Sequence, residues 1–169
     1  MYYVRKISRG RWPEEKKIAE ATLKDIEADT VTTELKTNGN TLSRWQADND
    51  TELDEAFVAL ASNMKQIGAI SAVKIEESQL KDYVLEKELG QTPATEINER
   101  HRNITGLNYV NLSGVIQAVL DSLGNQGMVR KSKQDMRMLL VNAYKGNKLN
   151  TSLMPTELRE EIEKIISNG

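Results

Sequence analysis

The pattern of apolar residues changes character near residue 100, and this change limits the folds open to the chain. Before it, short runs rich in β-branched and aromatic residues accompany one strong helical stripe. After it, apolar residues recur at helical spacing. The sequence therefore predicts an α+β fold: a small, mostly antiparallel three-stranded sheet with a covering helix, followed by a helical C-terminal half.

Three short runs predict the strands, at residues 2–7, 41–47 and 70–75. Turn residues bound the first two: Gly10 and Pro13 follow one, and an Asn-Gly pair precedes the other. A helix over 52–67 is predicted to cover the sheet, because its apolar residues recur every three or four positions. Thr51 with Asp54 predicts its start and Gly68 its end.

The second half predicts three main helices. The most apolar stretch spans 110–123, a second helix follows it, and Pro155 opens a third. We predict two units, 1–88 and 95–169, with a loop over 86–95 between them. They are expected to share one core, because the stretch 110–123 is too apolar to stand exposed.

Composition excludes several kinds of site. The 169 residues contain no cysteine and a single histidine, so thiolate and multi-histidine metal sites are excluded. His101 lies at helical spacing with Ile97 and Ile104, which favours a partly buried structural side chain over a general base. Glycine-rich phosphate loops and nucleophile motifs are absent from the sequence. We therefore predict no catalytic residue, metal or cofactor.

Signals for membranes are missing as well. The N-terminus does not resemble a signal peptide, and no run of about eighteen apolar residues occurs. The sequence predicts a cytoplasmic protein that does not engage a membrane.

A basic cluster lies near the start of the second C-terminal helix, within a chain whose formal net charge is only −2. If a short turn joins this helix to 110–123, the pair resembles a helix-turn-helix, in which such residues contact DNA. A solvated helix start explains the same charges without a ligand. The candidate partner- or nucleic-acid-binding residues of this cluster are Arg130, Lys131, Lys133 and Arg137.

A second basic segment lies at the N-terminus, where residues 1–12 contain no acid. Its candidate binding residues are Arg5, Arg9 and Arg11, and Trp12 beside them offers stacking for a base. Charged residues also protect a strand edge from unwanted pairing, which is the simpler explanation. The segment 76–88 is acidic, so opposed patches could pair between copies of the chain or with a charged partner.

The first seventy or so residues resemble a family of small accessory proteins. The resemblance rests on five short stretches and includes no catalytic motif: Val4-Arg5-Lys6-Ile7-Ser8-Arg9, Trp12-Pro13, Ala28-Asp29, Thr33-Glu34-Leu35 and Thr41-Leu42-Ser43-Arg44-Trp45. The family occurs in bacterial mobile-element and antiviral-defence loci, beside a larger ATPase or nuclease. This resemblance implies a non-enzymatic partner subunit and assigns no role to individual residues.

The sequence thus leaves three hypotheses for function. The first is a non-catalytic adaptor subunit of a larger bacterial assembly, such as an antiviral-defence complex, acting through a larger protein partner or a second copy. The alternative is a nucleic-acid-binding regulator that uses the C-terminal helices. The third is a minimal hydrolase or nuclease built on Asp and Glu clusters, which needs carboxylates that converge in space.

Overall fold

A six-stranded antiparallel sheet forms the centre of the molecule. The computed structural model describes residues 1–168, the side chain of Glu15 excepted. Each strand is antiparallel to its neighbours, and the order across the sheet is β4-β5-β2-β1-β3-β6. In chain order the strands are β1 (Tyr2–Lys6), β2 (Leu42–Ala47), β3 (Ile70–Glu76), β4 (Leu85–Lys87), β5 (His101–Ile104) and β6 (Met128–Lys131).

Helices lie on both faces of this sheet. They are α1 (Glu15–Ile18), α2 (Ala28–Glu34), α3 (Asp50–Ser62), α4 (Tyr109–Gly124), α5 (Lys133–Lys145) and α6 (Thr156–Ser167). The front face carries Val4 and Trp45, and α3, α5 and α6 pack on it. The back face carries Tyr3 and Val73, and α4 packs on it with the segment 7–35. No helix in the described part of the chain has the length and apolar character needed to cross a membrane.

Strand β3 shows why the chain forms this layered arrangement. Ile70 and Ala72 point to the front core, whereas Val73 and Ile75 point to the back core. Successive side chains of a strand alternate between faces, so a strand covered on both sides needs apolar residues at nearly every position. The run Ile-Ser-Ala-Val-Lys-Ile meets this requirement and fixes β3 between the two helical layers.

The α+β class and the antiparallel sheet are confirmed, but the predicted number of three strands is wrong. The three predicted strands form the adjacent central set β2-β1-β3. The strands that were missed, β4, β5 and β6, have only three or four residues each. Such short runs hold too few residues to show an alternating pattern, so their pairing with longer strands decides their conformation.

The covering helix is present, with different ends. Helix α3 begins at Asp50, and its cap is Asn49, whose side chain accepts a hydrogen bond from the Glu52 N–H at 3.0 Å. The predicted cap at Thr51 is therefore wrong. The helix ends at Ser62, before the predicted stop at Gly68. Ile67 extends the apolar pattern because it is buried in the same core beyond the end of the helix.

The C-terminal half is not purely helical, which corrects the helix-turn-helix interpretation. Helix α4 ends at Gly124 as the sequence predicted, but β6 then pairs with β3 before α5 begins. Two of the basic residues, Arg130 and Lys131, belong to this strand and not to a turn. A strand between α4 and α5 removes the short connection by which a helix-turn-helix places its second helix in the major groove.

Candidate functional site

The seven basic residues that the sequence singled out do not form one cluster. Arg5 lies on central strand β1, and Arg9 and Arg11 lie in the 3-10 turn that follows it. Arg130 and Lys131 are neighbours on β6, so their side chains point to opposite faces of the sheet. Lys133 and Arg137 lie one turn apart on α5. The structure therefore divides these cations among several surfaces.

The three N-terminal arginines bond within the N-terminal part of the chain, and two of them contact Glu34 at the end of α2. The Arg5 guanidinium donates to the Glu34 carbonyl, with Nη2 at 2.6 Å, and to the Ser43 carbonyl at 2.6 Å. Arg9 donates to the carbonyls of Trp12 and Pro13. Arg11 Nε lies 3.5 Å from the Glu34 carboxylate, which also accepts the Ser8 N–H at 2.7 Å. These contacts give Arg9 and Arg11 a structural role.

Lys131 also has a partner within the fold. Its ammonium lies 2.5 Å from the Asp54 carboxylate on α3 and 5.9 Å from the centre of the Phe57 ring. This contact ties edge strand β6 to the front-face helix. Lys131 is therefore less available to an external partner than its neighbours in sequence.

The remaining cations, Arg130, Lys133 and Arg137, are exposed and carry no such contact. Within the described residues, no carboxylate lies within 4.0 Å of any of them. Asp135 is close in sequence, but its carboxylate accepts the Ser132 N–H at 2.9 Å, and the Ser132 hydroxyl accepts the Asp135 N–H in return. Hydrogen bonding to Ser132 lowers the pKa of Asp135, so this carboxylate is committed to the helix cap.

A groove of about 790 Å³ lies along the outer side of α5 and continues to α6. The buried side of α5 carries Met136, Leu140 and Ala143, so the opposite stripe faces the groove. Met138 on that stripe is 53% exposed and lies among charged and polar side chains. The groove thus combines cations, amides and apolar side chains: Lys133, Gln134, Arg137, Met138, Val141, Asn142 and Ile165.

A second group of cations crosses the back face of the sheet, and Arg5 is the one member of it that the sequence singled out. Arg44 on β2 pairs in register with Arg102 on β5. The pairing of β1 with β2 ends at Val4 and Trp45, and Arg5 and Arg44 are the next residues of the two strands. Arg5, Arg44 and Arg102 therefore stand side by side on three adjacent strands. We call them the arginine row.

Arg44 is the most deeply buried member of this row. The residue is 2% exposed, and its guanidinium carbon lies 4.6 Å from the centre of the Tyr3 ring. None of its three guanidinium nitrogens has a hydrogen-bond partner in the described residues. Burial lowers the pKa of Arg44 to about 10, and burial lowers the pKa of Arg5 to about 10 as well. Even so, both arginines are charged at neutral pH.

His101 lies on strand β5 and not on the helix that its spacing predicted. Its ring meets Trp45 edge to face at 5.1 Å, and Nδ1 lies 2.9 Å from the Glu88 carbonyl. Among the residues that the structure describes, no group of three or more His, Asp or Glu side chains is placed to hold a metal ion.

Comparison with known proteins adds no family to these observations. No protein-family model, no curated protein and no solved structure matches this chain.

Proposed function

We propose that the chain is a non-catalytic binding subunit of a larger bacterial assembly, and that it docks a protein segment in the α5–α6 groove. The observation that carries this proposal is the exposure of Met138 beside the unpaired cations Lys133 and Arg137. In a partner segment, apolar residues would cover Met138, and acidic residues would neutralise the charges of Lys133 and Arg137. The resemblance of the N-terminal part to accessory proteins of defence loci supports the choice of a bacterial assembly.

The alternative is a nucleic-acid-binding regulator that uses the same cations. Lys133 and Arg137 favour it, because unpaired exposed cations suit phosphate contacts. The apolar side chains Met138, Val141 and Ile165 favour a protein, because phosphate binding gains nothing from them. The two candidates therefore differ in what the apolar part of the groove contributes.

The first experiment is a pull-down of the tagged protein from its native host, with and without nuclease. We expect a stoichiometric protein partner that survives nuclease treatment and is lost with Arg137→Glu. The matched control is Lys81→Glu, which makes the same charge change at an exposed residue outside the groove. Recovery of nucleic acid alone, released by moderate salt, would contradict the adaptor proposal.

Two further variants test the groove with the purified partner. Met138→Ser removes apolar surface and leaves the charges in place, so we expect about tenfold weaker partner binding. Replacing an acidic residue of the partner with lysine should restore binding to the Arg137→Glu variant, because the charge pair is re-formed with opposite signs. If Met138→Ser binds the partner as tightly as the wild type, the apolar part of the groove does not contribute to docking, which would contradict the proposed site.

A further inference from the structure

The arginine row brings like charges near one another, since, in addition to burial, the charges of Arg5 and Arg102 both lower the pKa of Arg44. Directly opposite residues of neighbouring strands have side chains about 5 Å apart, and like charges at such positions destabilise a sheet. In the described residues, no carboxylate lies within 4.0 Å of Arg5, Arg44 or Arg102. The side chains of Arg5 and Arg102 donate hydrogen bonds to backbone carbonyl groups, whereas the Arg44 side chain has no acceptor.

The nearby acids are already engaged elsewhere. Glu34 directs its carboxylate to the Ser8 N–H and to Arg11, and offers Arg5 only its carbonyl. The Glu99 carboxylate pairs with Lys87. Lys87 lies on β4 directly opposite Arg102, so a fourth cation stands next to the row. The Tyr3 ring offsets part of the cost of burying Arg44, but a ring quadrupole cannot replace the hydrogen bonds that the guanidinium lacks.

We propose that Arg44, flanked by Arg5 and Arg102, binds a small phosphate-type dianion. A guanidinium presents donors in a planar fork that matches two oxygens of a phosphate group. Three adjacent guanidinium groups without carboxylate partners suit a dianion better than a single carboxylate. This site shares no residue with the α5–α6 groove, so it stands apart from the proposed function.

A cleft of about 350 Å³ lies beside the row. It lies where β1 and β2 separate beside α2, and both Arg5 and Arg44 line it. At this point the Ser43 carbonyl accepts a hydrogen bond from the Arg5 side chain at 2.6 Å. Thr33 on α2 also lines the cleft, and its hydroxyl group could serve a further oxygen of an anion.

Thermal unfolding of the wild-type protein tests the proposal directly. We expect sodium phosphate to raise Tm above its value in sodium chloride of matched ionic strength, because a ligand of the folded state stabilises it by mass action. In a ¹H–¹⁵N spectrum, the arginine Nε–H signals of the row should shift and saturate as phosphate is added. Equal Tm values in the two salts, with no saturating shift, would overturn the proposal.

The variant Arg44→Met separates a binding role from a structural one. We expect it to bind phosphate at least about tenfold more weakly, while its Tm without phosphate is unchanged or higher, because an uncompensated buried charge is gone. Lys81→Met is the control and should keep the phosphate effect. A lower Tm without phosphate, combined with an unaltered phosphate response, would show that Arg44 acts only in packing and would overturn the proposal.

A second variant and a second ligand complete the test. Arg102 is less buried than Arg44. The variant Arg102→Met should therefore weaken phosphate binding severalfold even if the protein does not tolerate Arg44→Met. Glycerol 3-phosphate carries the same group with a substituent attached. Tighter binding than that of inorganic phosphate would indicate a phosphomonoester in the cleft, whereas equal binding would indicate the free anion.

Discussion

His101 shows how the fold sets the charge of a single residue. Burial lowers its pKa, and the charges of Arg44 and Arg102 act in the same direction. The Glu88 carbonyl and the Glu88 charge oppose this shift but are outweighed. The folded state therefore resists protonation of His101 more than the unfolded chain does.

This difference predicts a pH dependence of stability. As the pH falls below about 6.5, the unfolded chain takes up a proton that folded His101 resists, so the free energy of unfolding decreases. The variant His101→Gln keeps a donor for the Glu88 carbonyl and cannot be charged. We expect urea denaturation between about pH 7 and about pH 5 to show a decline in the wild type and a flatter profile in His101→Gln.

Carboxylates provide the internal control for this measurement. Hydrogen bonds from Arg100 to Glu52, and from Lys87 to Glu99, lower the pKa of each carboxyl group. Stability from these groups is lost only at pH values below the ordinary carboxyl pKa of about 4.5. Both proteins should therefore lose stability together in that range. Parallel profiles above it would contradict the prediction for His101.

Arg44 shows why the sequence could not reveal the arginine row. The strand 41–47 was predicted correctly, and Arg44 shares a face with Leu42. Only the register between strands places Arg44 between Arg5 and Arg102, which lie 39 and 58 positions away in the chain. Local patterns contain no such information. A charged residue between two buried strand positions, Leu42 and Trp45, was the only signal available.

At the scale of elements, the connection from α4 to β6 depends on two glycines with different surroundings. At Gly127 the N–H donates to the Ser122 carbonyl at 2.7 Å, and the carbonyl accepts the Lys74 N–H at 2.8 Å. A Cβ there would lie 2.6 Å from the Ser122 oxygen and 2.9 Å from the Lys74 oxygen. At Gly124 a Cβ would meet no atom within 4 Å.

This contrast predicts opposite effects of the same substitution. Gly127→Ala should destabilise the protein by about 2 kcal/mol or more, because backbone atoms of two elements must move. Gly124→Ala should leave stability unchanged or raise it by up to about 1 kcal/mol, because it replaces glycine at the end of a helix without steric conflict. Chemical denaturation of both variants measures these differences. Unchanged stability of Gly127→Ala would show that this connection is not held closely against α4 and β3.

Elements with a long or regular pattern were predictable, and elements that depend on a partner were not. The apolar stripe of α3 and the strand-forming runs of β1 and β3 are long enough for their secondary structure to be predicted from sequence. Strand β5 spans only His101–Ile104. Because Ile97, His101 and Ile104 are spaced as on a helix, the sequence pattern indicated a helix at this strand. In the α5–α6 groove, the cations were evident from sequence, but the exposure of Met138 depends on where α6 packs.

On the scale of the whole molecule, the sheet is assembled from both halves of the chain. Strands β5 and β6 come from the second half, and neither pairs with the other. Strand β5 pairs with β2 and β4, and β6 pairs with β3, so every strand partner of the second half lies in the first. Each half alone would leave sheet edges unpaired and apolar faces uncovered.

We therefore predict one cooperative unfolding transition for the whole chain and no folding of the separate halves. Residues 1–88 lack α4, α5 and α6, which cover both faces of the sheet, and should give no cooperative transition alone. A protease site inserted after Leu89, an exposed residue beyond β4, should yield two fragments that stay associated in gel filtration. The uncut insertion variant is the control. A cooperative transition for residues 1–88 alone would mean that the chain consists of two independent domains, because folding would then not require the strand pairs that join the halves.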